Sequence, residues 1–482
     1  MNGIDLPIFM VMTIGFIVVM LLFGVYGYRN TSNNNDFMLG KHKTNAWVIG
    51  LSYGATFLSA SAVIGFGGQA ATHGLSLMWL CFLNLAVGLL VAFVIFGPRT
   101  RRIGRKLGAS TFADLLGKMY GSRSIRIFTA LLIIIMMPIY CAAVLKGGVN
   151  TVAVLTGLNE YYNVILIGLA VVVGIYVVFG GIIAVMYNDA LQAGIMFAGL
   201  VVILFITFSA LGGVGNAFSS LSNLDPSQAG GVLPGFNGWT SVASLGSSEW
   251  MLVVTTFLLG VGLGVLTQPQ LAVRFMSAKD DRMLNRSLIV GSIFVFVIVG
   301  TAYTCGALSN VYFFEHHGQA AWNYVSGLGL GTDFIIPQYI VEVFDGVFGG
   351  DIFICLFLLS LVCASVSTIS ALMHTMGSAG GYDVYSVAKN MKDGTEGDSS
   401  SLHVNRTVTA VMMVLIVVYC YVMPSDIIAK ATSLFMGITA AALLPAYCHG
   451  LYAKGKRDKL AAKASMFAGT VSYLFWALFI NR

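Results

Sequence analysis

Along this 482-residue chain, apolar runs of about 20 residues recur from end to end, separated by short polar stretches. Each is long enough to cross the ~30 Å of hydrocarbon in a bilayer. The pattern predicts twelve membrane helices. Six lie near 6–28, 45–73, 75–97, 124–155, 162–184 and 187–213; six more lie near 250–275, 286–314, 350–380, 404–423, 425–451 and 463–480. The expected fold class is an all-α polytopic membrane protein.

Two of these runs are unlike the rest. Gly50–Gly74, "GLSYGATFLSASAVIGFGGQAATHG", is apolar enough for a bilayer but crowded with glycine, serine, threonine and alanine. Glycine costs roughly 1 kcal/mol relative to alanine in a helix, so a lipid-facing span has no use for so much of it. Small residues instead permit close helix approach or an unwound turn, which survives at membrane depth only where protein or water satisfies it. Thr255–Met276, "TTFLLGVGLGVLTQPQLAVRFM", carries Gly260, Gly262, Gly264 and Pro269 in its middle. One interrupted helix in each half of a chain points to the binding site of a secondary transporter. On this signal alone, two ordinary small-residue packing helices remain the alternative.

Composition and charge agree with a membrane class. The chain is 57% hydrophobic and 10% charged, with a mean hydropathy of +0.85, whereas soluble domains are about 25% charged. The net charge of +6 does not suggest nucleic acid, because the basic residues sit in short loops. They sort by side. Arg99, Arg101, Arg102, Arg105 and Lys106, then Arg274, Lys279, Arg282 and Arg286, then Lys454, Lys456, Arg457 and Lys459 fall between spans on one face. The long loops 214–249 and 315–349 on the other face contain no lysine or arginine. The positive-inside rule then places the basic loops in the cytoplasm and the N-terminus outside. The flank "MNGID" has no basic residue and is not the start of a cleaved signal. The seven cysteines are scattered and read as buried thiols.

The loops add little chemistry. Loop 214–249 reads as a solvated connector, Asp333–Phe344 as a short interfacial or re-entrant helix, and Lys389–Ser401 as a polar linker. The histidines make no metal pair at helical spacing, "GVGLG" matches phosphate loops only loosely, and no acid–base or nucleophile constellation is visible. An enzyme is not expected.

Polar groups at membrane depth need a reason, since a charge there costs at least ~2.5 kcal/mol. In "LVCASVSTIS", Ala364, Ser367 and Thr368 stand at i, i+3 and i+4, on one face of one turn. Two hydroxyls and a carbonyl there suit a hard cation such as Na⁺, which takes oxygen ligands; bonding back to carbonyls one turn earlier accounts for the hydroxyls equally well. Asp189, in "VMYNDALQAG", stands at the inner mouth of its helix, where it could guide a departing cation or answer the helix dipole. Lys146, in "YCAAVLKGGVN", reads as the one basic residue well inside the first ten spans. It could face a solute carboxylate or snorkel outward.

Several stretches together resemble the sodium/solute symporter family. "GLGVLTQPQLAVRFMSAKD" (Gly262–Asp280) is similar to its G-x-G-Q-P-x-x-x-V-R-F-M-A stretch, "ASVSTISALMHTMGSAGGYDVY" (Ala364–Tyr385) to its A-x-x-S-T…D-[IL]-Y helix, and "YNDALQ" to its [TN]-D-x-x-Q turn. The resemblance runs in order over about 45–450. It implies a LeuT-like, five-plus-five inverted repeat and alternating access driven by inward Na⁺ flow. The implied division is an extra N-terminal helix and loop (1–44), a first repeat (45–213), an extracellular loop (214–249), a second repeat (250–451) and a C-terminal helix (452–482).

Carried over by residue, the resemblance implies a Na⁺ site at the carbonyls of Ala55, Leu58 and Ala364 and the hydroxyls of Ser367 and Thr368. It places the acid of the cytoplasmic sodium path on Asp189. Where proline and sugar carriers have aromatic residues, this chain has Val261 and Val265; a Trp or Gln near Ser61 and Ala62 is missing too, and an acid of the proline carriers is Phe57. "ATFLSASAVIG" is closer to members that move pantothenate, iodide or monocarboxylates.

The expectation is therefore a plasma-membrane importer of a small organic carboxylate, coupled to Na⁺, with Thr56, Ser59, Ser61, Lys146, Val261 and Val265 at the solute. A proline or other amino-acid symporter is the second reading. A symporter-like sensor is a weaker third, because the chain ends soon after its last cytoplasmic loop with no kinase region. The partners expected are the solute, Na⁺ and the bilayer, with no nucleic acid.

Overall fold

The computed structural model describes residues 4–40, 44–389, 399–424 and 428–480, and the described residues form helices and loops without strands. Nine helical stretches among them are long and apolar enough to cross a membrane. Eleven of the twelve predicted spans map onto these, with two details. The second and third meet in the continuous stretch Ser61–Leu107, behind the separate short helix Ala46–Phe57. The fifth and sixth are joined in Tyr162–Ala210. The twelfth, Lys459–Phe475 continued by Trp476–Ile480, is not among the nine. Residues 390–398 of the polar linker expected at Lys389–Ser401 lie outside the described residues.

Local sequence explains most helix ends. Asp5 caps Leu6–Asn30 by accepting from the Ile8 amide at 3.1 Å. Asn45 caps Ala46–Phe57, and Asp280 caps Asp281–His317 through the Met283 amide. These side-chain oxygens satisfy amides that a helix start leaves without partners.

The breaks do not fall where glycine is densest. In the first interrupted span the helix stops at Leu58, whose ψ is 84°, and resumes at Ser61. The surrounding glycines serve close packing instead: a Cβ at Gly54 would sit 2.5 Å from the Phe294 ring, and one at Gly68 would overlap the Thr332 carbonyl. The second span behaves alike. Gly260–Gly264 is helical, Gly264 lies against the Met436 backbone, and the chain leaves the helix at Gln268, with ψ 115°. Pro269 explains that position, because the ring of a proline disfavours helical geometry in the residue before it.

Between the predicted helices 162–184 and 187–213, the reversal occurs earlier than expected, at Gly181 (φ 58°, ψ −154°). Phe37 packs on its backbone, leaving no room for a Cβ. Tyr176 before the kink lies beside Asp189 and Gln192 after it, so the two arms fold back on each other. Both pack against the N-terminal helix, where Gly24 meets Tyr176 and Met20 accepts from Asn188.

The loop expected to be a solvated connector is partly structural. It forms the helix Val214–Asn223, buries Trp239, and accepts the Leu75 amide at the Trp239 carbonyl (2.7 Å). Asp333–Phe344 contains the short helix Ile335–Val343, largely buried against the outer part of the first broken helix. In each half a broken helix is followed by a long helix, a short helical segment, another long helix and two more.

Candidate functional site

The turn Ala364–Thr368 lies in the long helix Gly350–Ser378 and is wholly buried. It faces the first break. Because the chain leaves helical geometry at Leu58, the next amides cannot close the last turn of Ala46–Phe57. The freed carbonyls meet side-chain hydroxyls instead. Ser367 Oγ donates to the Ala55 carbonyl at 3.0 Å and to the Ala364 carbonyl at 3.2 Å. Thr368 Oγ1 lies 3.4 Å from the Thr56 carbonyl. Residues 312 positions apart therefore share one cluster of oxygens. Ser367 bonds back within its own helix, as one reading of the hydroxyls expects, and it also reaches across to Ala55. Such a set of neutral oxygens, without a carboxylate, is the kind a small monovalent cation can occupy.

One turn nearer the basic side is a buried ion pair. Arg274 Nη2 lies 2.8 Å from Asp189 Oδ2, and both side chains are almost fully excluded from solvent. Ser52 and Thr56 donate to the same carboxylate oxygen at 2.7 and 3.0 Å. Arg274 also donates to Ser52 Oγ (2.9 Å), Thr56 Oγ1 and the Gln270 carbonyl. Asp189 Oδ1 has no partner among the described residues. Burying two charges is costly unless geometry and further hydrogen bonds compensate, and here two hydroxyls and the Gln270 carbonyl engage the pair.

Three expectations change here. Asp189 is not at a helix mouth; it is enclosed, eight residues beyond the Gly181 kink. Thr56 does not stand free to bind solute, since its hydroxyl joins the ion pair and its carbonyl faces Thr368. Arg274 was counted with cytoplasmic bases, yet it is buried within the second broken helix. The legible sign was its setting, "LAVRFM", with apolar residues on both sides.

On the other side of the break, Ser59 Oγ contacts Ser61 Oγ at 2.5 Å and Tyr140 Oη at 3.0 Å. The Tyr140 ring stacks on Phe435, with centroids 5.5 Å apart. Val265 and Phe57 converge on Gly88, and Val261 is buried one turn earlier in the second broken helix. At the second break, Gln268 donates to Thr439 Oγ1 (2.9 Å) and to the Gly264 carbonyl (3.0 Å). Tyr140, Phe435 and Thr439 have no mark in the sequence; Gln268 stands before Pro269 in the family-like stretch Gly262–Asp280, which is the signal for it. Lys146 is elsewhere occupied: its amine donates to the Met423 carbonyl at the end of helix Ser399–Val422. It serves as a cap for that helix and is not directed at Ser59 and Ser61.

The outer parts of the two broken helices also meet. His73 Nδ1 is 2.5 Å from Glu249 Oε1, its Nε2 is 2.9 Å from Gln69 Oε1, and the pair is buried. Glu249 additionally accepts the Leu233 amide at 2.9 Å.

The model of the sodium:solute symporter family matches residues 37–469 of this chain. An osmoregulated proline transporter of Bacillus subtilis is 26% identical over 465 residues, covering 96% of this chain and 87% of the relative. A sodium/pantothenate symporter of Haemophilus influenzae is 26% identical over 473 residues, covering 98% and 90%. Among solved structures, a Na⁺-coupled sialic acid symporter in a substrate-bound outward-open state aligns with a TM-score of 0.73 over 98% of both chains, at 18% identity. MhsT in complex with L-phenylalanine aligns with a TM-score of 0.50 over 90% of this chain and 97% of its own, at 12% identity. At such identities the structural likeness speaks to the fold alone.

Proposed function

This chain belongs to the sodium:solute symporter family, and from that membership we propose that it imports a small carboxylate-bearing solute together with Na⁺ by alternating access. Its fold is that of a LeuT-like polytopic membrane protein, and Na⁺ is the coupling ion. The solute class, the ion's ligands and the orientation are our own reading. We assign Na⁺ to the carbonyls of Ala55, Leu58 and Ala364 and the hydroxyls of Ser367 and Thr368.

The observation that carries this reading is the 3.0 Å contact from Ser367 to the Ala55 carbonyl, which joins the first broken helix to the long helix Gly350–Ser378 of the second half. An ion held there links two elements that must separate when the cavity changes sides. The repeats 45–213 and 250–451 are the natural moving bodies, because their helices follow the same order. Thr56 connects the ion's oxygens to Asp189, whose unpartnered Oδ1 supports a role on the inward path. The basic helix Gly97–Leu107 supports a plasma-membrane orientation with the N-terminus outside.

For the solute, Ser59, Ser61 and Tyr140 offer hydroxyls beside the start of the resumed helix at Ser61. A helix start attracts a carboxylate. Val265 and Phe57, which meet at Gly88, are apolar, and neither offers an acid for an ammonium group. That favours a monocarboxylate or pantothenate-like solute. The proline transporter among the relatives supports an amino acid as the second reading.

Coupling energetics are bounded. A tenfold sodium gradient is worth about 1.4 kcal/mol, and one charge moving through 100 mV about 2.3 kcal/mol. One Na⁺ with one anion is electroneutral and gains only the first. The test is uptake into proteoliposomes: lactate, pyruvate, acetate and pantothenate are screened by counterflow against proline. Uptake of every solute indifferent to Na⁺ would end the proposal.

A further inference from the structure

A groove of about 730 Å³ opens on the membrane face between Ala46–Phe57, the arm 182–210 and helix Asp281–His317. Leu51, Ala193, Phe197 and Ile293 line it with hydrocarbon. At its mouth stand Trp47, which is 64% exposed, and Arg286. Both lie near the starts of their helices. The start of Asp281–His317 is held to the basic helix Gly97–Leu107 by Asp281, 2.7 Å from Arg101 and 3.1 Å from Arg102. The mouth is therefore level with the most basic face of the protein. Arg286 is exposed, and no hydrogen bond or carboxylate engages it among the described residues.

We propose that this groove is a site for an anionic diacyl phospholipid, its phosphate on Arg286, its glycerol region beside Trp47 and an acyl chain along Leu51, Phe197 and Ile293. The chemistry at each level matches. Hydrocarbon lines the depth, an indole marks the headgroup boundary where tryptophan is favoured, and a guanidinium without a partner awaits an anion. Basic pockets between membrane helices on the cytoplasmic side suit acidic headgroups. A zwitterionic lipid offers the same chains and a phosphate offset by its own cation, so headgroup charge is the discriminating feature.

The position gives the lipid a consequence for transport. Leu51 precedes Ser52, which donates to Asp189, and Ala193 lies one turn beyond Asp189. A chain in the groove packs directly behind the half-helix that carries Ser52, Ala55 and Thr56. It therefore biases how readily that half-helix leaves Asp189 and the arm 182–210.

The test uses the full chain in nanodiscs, with phosphatidylglycerol titrated into phosphatidylcholine. Bound lipid is read by native mass spectrometry and the protein's melting temperature is followed in parallel. Wild type should retain phosphatidylglycerol selectively and melt higher with it. Arg286→Gln should weaken that retention about fivefold, the value of one basic contact near a membrane surface, while Arg286→Lys keeps most of it. Gly194→Leu projects into open groove space, since a Cβ there meets nothing within 4 Å. It should displace the lipid and leave the fold intact. Equal retention of phosphatidylglycerol and phosphatidylcholine by wild type, or undiminished retention in both Arg286→Gln and Gly194→Leu, would overturn the proposal. Neither result bears on Na⁺-coupled uptake, which is measured separately.

Discussion

Removing the two hydroxyls of the proposed ion site should have unequal effects, and the structure says which is larger. As a ligand to a cation, each hydroxyl contributes in the range of a charge-assisted hydrogen bond, roughly 1.5–3 kcal/mol. Ser367 must first turn its proton away from the Ala55 and Ala364 carbonyls, at 3.0 and 3.2 Å. Giving up a neutral hydrogen bond costs about 1 kcal/mol, so the net contribution of Ser367 falls to about 0.5–2 kcal/mol. Thr368 holds the Thr56 carbonyl only at 3.4 Å, beyond the usual range for a hydroxyl donor, and its offset is close to nothing. Thr368→Ala should therefore raise the Na⁺ concentration for half-maximal uptake by roughly 10- to 150-fold, and Ser367→Ala by roughly 2- to 30-fold. Thr368→Ser keeps the oxygen and should stay near wild type. The assay is initial uptake into proteoliposomes against external Na⁺ at fixed solute, with folding checked by size-exclusion chromatography. Unchanged half-saturation in Thr368→Ala, or a larger effect from Ser367→Ala, would refute this account of the site.

Further outcomes follow from the same contacts. Arg274→Gln leaves the Asp189 carboxylate buried without its counter-charge and should cost about 3–5 kcal/mol; the double change with Asp189→Asn should recover much of the melting temperature but not transport. Tyr140→Phe should raise the solute KM about fivefold, the worth of one neutral hydrogen bond, and leave Na⁺ half-saturation unmoved. Lys146→Met should leave solute KM unaltered, since its amine caps the Met423 carbonyl; a large KM increase would return it to the solute pocket. Gly264→Ala places a Cβ 2.6 Å from the Met436 carbonyl oxygen and should cost about 1–3 kcal/mol by overpacking, whereas Gly300→Ala, inside a helix with open space around it, should hold or raise the melting temperature.

Hydropathy alone determined the class and the approximate spans, because each depends only on how residues partition between water and hydrocarbon. It also marked both interrupted helices, although through glycines that turned out to pack against Phe294, Thr332 and Met436 and not to form the breaks. Tertiary structure decided the rest. Whether Arg274 lies in a loop or in the core depends on whether a carboxylate waits for it, and Asp189 stands 85 positions away. Thr56 looked like a solute ligand until its two neighbours, Asp189 and Thr368, came from other helices. Lys146 looked like an anion site until a helix end met its amine. A chain read in order reveals the polarity of each side chain. The partner that satisfies that polarity is set by which helices fold side by side, and the role follows from the partner.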